Sequence, residues 1–224
     1  MSWKICVAFG LLVIVLSAVI FPIFPAEGAG YAPGYGAPVY AFEMAQSVED
    51  LIAVFGTLDD PARPARIAAM DAGNYWDFPF MAAYGAFLAT FFLAVRTQTG
   101  QKMWSVFVAI AVLSALADVV ENNILLGLTA NLEAAQNLHL LAYPVWTKFL
   151  SLMVVGAAAG FYMFKSQTGL LWKVLGTLTS IGALSVLAAF YAADVYGAIA
   201  GAGLGVCWLV MLVFAFSQAR KASQ

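Results

Sequence analysis

The stretch Met103-Trp-Ser-Val-Phe-Val-Ala-Ile-Ala-Val-Leu-Ser114-Ala-Leu-Ala-Asp118-Val-Val-Glu121-Asn122-Asn-Ile-Leu-Leu-Gly-Leu128 decides the fold. A helix needs about 20 mostly apolar residues to cross a ~30 Å hydrocarbon core, and this run exceeds that length. It lacks the alternation of a β-barrel strand. Its polar residues at 118, 121 and 122 are spaced i, i+3, i+4, which gathers them on one helical face, with Ser114 one turn below. The segment is therefore a membrane span with a polar stripe turned towards other protein.

Working outward, five further runs meet the same test. The spans lie at about 5–24, 75–95, 103–128, 140–164, 170–193 and 196–218, giving an all-α, polytopic integral membrane protein with six transmembrane helices. The first could instead be a cleaved signal peptide, ending near Ala26-Glu-Gly-Ala-Gly30 and leaving five spans. Its apolar run of about 20 residues is longer than the ~7–15 of a signal core, which favours a retained helix. Composition agrees: 63% of the 224 residues are hydrophobic and 10% charged, against about 45–50% and ~25% in soluble domains. A soluble enzyme, a disordered tail and a nucleic-acid binder are excluded; net charge −2 offers no basic patch for phosphate.

Lysine and arginine placement sets the orientation. With both termini inside, the cytoplasmic segments hold Lys4, Arg96, Lys102, Lys165, Lys173, Arg220 and Lys221, and the outer ones hold Arg63 and Arg66. Seven of the twelve acidic residues lie in the 25–74 loop. The expectation is an N-in, C-in protein of a cell (inner) membrane, with loop 25–74 on the outer or periplasmic side. Within that loop, 41–55 reads as one amphipathic helix, with Met44, Val48, Leu51, Ile52 and Phe55 on one face and Glu43, Gln46, Glu49 and Asp50 opposite. Asp60-Pro61 suits the start of a second short helix carrying Ile67 and Met70.

Gly156 and Gly160, then Gly197, Gly201 and Gly205, recur every fourth position as small faces for helix packing, within the bundle or in a homo- or hetero-oligomer. One histidine, His139, and two distant cysteines, Cys6 and Cys207, provide no metal-ligand set, no haem ligation and no Ser-His-Asp arrangement. No cofactor is indicated. A lysine on the fourth of six spans also argues against a retinal Schiff base.

The intramembrane ionisable residues remain. Each costs about 2.5–3.5 kcal/mol at mid-bilayer, so they should face the bundle interior and one another. At 1.5 Å per residue, Asp118 and Glu121 lie about 10–15 Å below the outer end of span 3, and Lys148 about 12 Å below that of span 4. A short 129–139 connection makes these spans antiparallel neighbours. Asp118, Glu121, Asn122 and Lys148 are thus expected to form one site, with Asp77, Tyr84 and Asp194 near an entrance. Two carboxylates and one ammonium leave a net −1, an excess that a proton or a cation would neutralise. Such a site suits binding or transport of a small cationic or amphiphilic ligand, or proton relay. The competing reading is a structural ion pair in a non-catalytic accessory subunit, whose partners beyond membrane lipids would be other protein chains.

Overall fold

The computed structural model describes residues 3–167 and 169–221; Thr168, part of the Lys165–Gly169 connection, lies outside them. It is all-helical, with no strand among the described residues. The helices are α1 (Trp3–Ile20), α2 (Pro38–Glu43), α3 (Val48–Phe55), α4 (Arg63–Thr99), α5 (Ser105–Ala130), α6 (Leu138–Ser166), α7 (Leu170–Leu184), α8 (Val186–Tyr191) and α9 (Ala193–Lys221). Six are long and apolar enough to cross a membrane: α1, α4, α5 with its leading turn, α6, the α7–α8 pair and α9.

Two expectations for the loop are corrected. Residues 41–55 are not one helix. Pro38, at the first turn of α2, fixes one start. Ser47 fixes another: it accepts from the Asp50 backbone N–H, and the Asp50 carboxylate accepts from the Ser47 N–H, a reciprocal cap that forces the chain out of helix at 44–47. Nor is there a separate short helix after Asp60-Pro61. The chain from Arg63 runs unbroken into the second span, giving 37 residues, about 55 Å at 1.5 Å each. Pro64 lies in its first turn, where no intrahelical N–H is needed. Its far end closes on Gly100, whose left-handed φ of 70° lets its N–H reach the Arg96 carbonyl.

Lipid gives helices no hydrophobic reason to associate, so close backbone approach must hold the bundle. Gly160 of α6 faces Gly176 of α7, and a Cβ added at Gly176 would stand 2.6 Å from the Gly160 carbonyl oxygen. Gly182 of α7 and Gly203 of α9 meet in the same way, with a Cβ added at Gly182 2.7 Å from the Gly203 carbonyl oxygen. Gly156 abuts Ala183. Gly197 and Gly201, expected on a helix-packing face, instead receive the loop: Gly197 abuts Tyr35 and Gly201 the Tyr40 ring. Gly205 has no non-local atom within 4 Å of a built Cβ, so within one chain it packs against nothing.

The two ends of the bundle close differently. At the end away from the loop, Trp3, Phe91, Trp104, Tyr162 and Phe214 form a continuous aromatic cluster, with ring centroids 5.3–6.0 Å apart. At the loop end, α2 inserts among α5, α6 and α9 as a plug. Arg66 and Arg63 tether the start of α4 beside it. Arg66 bonds Asp60 at 2.6 Å and holds that carboxyl below its usual range. Arg63 pairs with Glu133 in the α5–α6 connection and does the same there.

Candidate functional site

Lys148, on α6, is the centre of the site. Its Nζ donates to Glu121 Oε1 at 2.7 Å and to Asp118 Oδ1 at 3.2 Å, both on α5. It also lies 3.3 Å from Glu43 Oε1 on α2 and 4.7 Å from the Phe149 ring centroid. Lys148, Asp118 and Glu121 are all buried. Helical spacing explains the arrangement: positions 118 and 121 turn to α6 together, and the antiparallel return brings position 148 to their depth.

The site then extends along α4. The Tyr84 hydroxyl donates to Asp118 Oδ2 at 2.7 Å and approaches the Ser114 carbonyl at 3.2 Å. Asn122 Nδ2 donates to Asp77 Oδ2 and to the Asn74 carbonyl, each at 3.0 Å. Asn122 therefore holds Asp77, and its Nδ2 bonds go to α4. Of the sequence-derived entrance residues, Asp77 and Tyr84 join this cluster; Asp194 stands apart, exposed at the start of α9.

Glu43 is the residue that sequence reading misplaced. On a single helix it fell on the solvated face; with α2 separate it points into the bundle and is 9% exposed. Burial raises its carboxyl above the usual range, more than the nearby Lys148 charge lowers it. Glu43 Oε2 and Glu121 Oε2 are both buried without a partner. The cluster therefore holds four carboxyl groups to one ammonium, and Asp77 has no ion pair among the described residues.

Cavities border this cluster on two sides. The first, about 220 Å³, is walled by Phe80, Tyr84 and Trp208, with Asp77, Asp118, Lys148 and Glu43 along its inner side. The Tyr84 and Trp208 rings stack at 5.2 Å, and Phe80 lies 5.6 Å from Tyr84. Gly201 and Gly205 leave α9 thin here, and the exposed Ile14, Phe21 and Leu209 line the cavity's outer side. Its mouth thus lies between α1 and α9, among side chains that face away from the bundle. These helices touch near their other ends, where Trp3 meets Phe214 and Gly10 meets Leu212. The second cavity, about 200 Å³, lies at the loop end and is lined by Tyr35, Gln46, Trp146, Tyr191 and Asp194. Glu43 lines both.

No family model, curated protein or solved structure matches this chain.

Proposed function

We propose that this is a multi-pass protein of a cell (inner) membrane that binds a small amphiphilic cation drawn from the lipid. The lysine and arginine distribution supports cytoplasmic termini and an outer, periplasmic loop end. The observation that carries the reading is the first cavity: an aromatic wall, an unpaired carboxylate at Asp77 and a mouth among lipid-facing side chains. A cation at Asp77 would gain attraction of about 4 kcal/mol at 4 Å and an effective dielectric of ~20, before desolvation. Tyr84 and Trp208 would add cation–π stabilisation of about 0.5–2 kcal/mol. An alkyl tail would lie along Ile14, Phe21 and Leu209. The volume holds about seven waters at ~30 Å³ each, enough for a compact ammonium head group.

The accessory-subunit reading is less well supported, because Gly156, Gly160, Gly197 and Gly201 already pack within the chain. Octyltrimethylammonium tests the proposal. It should change the tryptophan fluorescence of the purified protein saturably, through Trp208, whereas octanol should not. Asp77→Asn should weaken that binding at least about tenfold. Equal responses to the cation and to octanol would refute the reading.

A further inference from the structure

Glu43 occupies a position that cation binding alone does not require. It lines the lipid-side cavity and the loop-end cavity at once, and it is the residue their linings share. The loop-end cavity is a different environment: Tyr35, Gln46, Tyr191 and Asp194 make it polar, and it adjoins a wider surface recess of about 410 Å³ lined by Tyr35, Gln46, Asp50 and Asp194. The recess and the vestibule share Tyr35, Gln46 and the exposed Asp194 in their walls. On the inner side, Glu43 Oε1 lies 3.3 Å from Lys148 Nζ, and its Oε2 is buried without a partner.

We infer that the site exchanges its cation for a proton, which enters and leaves through the vestibule beside Glu43. The inference rests on the cation-binding reading and adds the coupled ion and its path. Four carboxyl groups around one ammonium cannot all be ionised in a low-dielectric interior, so the empty site must retain protons. A cation seated at Asp77 supplies the missing positive charge. One retained proton then becomes surplus, and the balance is one cation bound for one proton released to water. Glu43 is the group placed to release it, being in contact with both the cluster and the vestibule.

The charged and titratable groups around Glu43 are consistent with this role. Lys148 faces it from α6, Asp118 and Glu121 from α5, and Asp77 acts on it from α4. Tyr40 lies one turn back on its own helix. Tyr35 and Asp194 face it across the vestibule. Asp50 of α3 is occupied in bonds from the Gln46 and Ser47 N–H groups. The one cation among these is already shared by three carboxyls, which leaves the proton as the remaining counter-charge.

Isothermal titration of the full chain with octyltrimethylammonium, in two buffers of different ionisation enthalpy at one pH, counts the protons released. The expected count for the wild type is about one per cation bound, and for Glu43→Gln less than about 0.2. Binding to the wild type with no proton released overturns the exchange while leaving the cation site standing. An undiminished count in Glu43→Gln also overturns it, because the proton then leaves from elsewhere. Absence of any binding to the wild type refutes the cation reading itself, and the exchange with it. Should Glu43→Gln fail to fold, the wild type still decides: its affinity should rise by up to about tenfold per pH unit over the range in which the proton is held. A pH-independent affinity overturns the inference.

Discussion

Lys148→Met, made alone, is expected to destabilise the protein by about 3–5 kcal/mol, the cost of removing one partner from a buried ion pair. The side chain is nearly isosteric, so the loss comes from charge and hydrogen bonding. Asp118, Glu121 and Glu43 would lose the ammonium they share at 3.2, 2.7 and 3.3 Å. Each uncompensated carboxylate must then take up a proton or pull water into the bundle. Because α2, α5 and α6 meet at this lysine, the loop-end plug should loosen together with the α5–α6 contact. Thermal melting in a fixed detergent measures the effect, and Lys148→Met combined with Glu121→Gln should recover part of it. A single variant that melts with the wild type would show that the cluster does not hold the three helices together.

Gly205→Leu should have the opposite profile. Nothing non-local lies within 4 Å of a Cβ built at this position, and the residue lines the lipid-side cavity. A leucine there fills space needed by a ligand without pushing on backbone. Helix propensity alone favours the change by up to about 1 kcal/mol. The expected result is a fall of at least about tenfold in affinity for octyltrimethylammonium, with the melting temperature unchanged or raised. Loss of both stability and binding would instead mark Gly205 as a packing residue. Unaltered binding would place the cation outside this cavity.

Much of this architecture is legible from residue order. Six apolar runs of sufficient length correspond to six helices long enough to cross a membrane, because length and hydropathy are local properties. The meeting of Lys148 with Asp118 and Glu121 also follows from local quantities: helical rise, a short connection and the cost of an unpaired charge in lipid. Glu43 was concealed by a register error. Its partners are visible only if 41–55 is broken in two, and the signals were present in Pro38 and in the Ser47–Asp50 cap. The Gly182–Gly203 contact and the cavity were concealed for another reason. Both depend on which helices are neighbours, and the void exists because α1 and α9 meet at one end while α2 occupies the other. No window of sequence contains that information.

In the proposed complex an organic cation sits between Asp77 and the aromatic wall, with its tail directed to lipid. The most direct measurement is a structure of the protein bound to (8-bromooctyl)trimethylammonium, located by the anomalous signal of bromine. The ammonium is expected beside Asp77 within about 6 Å of the Trp208 or Tyr84 ring, and bromine at the mouth between Ile14, Phe21 and Leu209. A cavity closed by its own side chains, or one holding a lipid tail with the probe bound elsewhere, would contradict it.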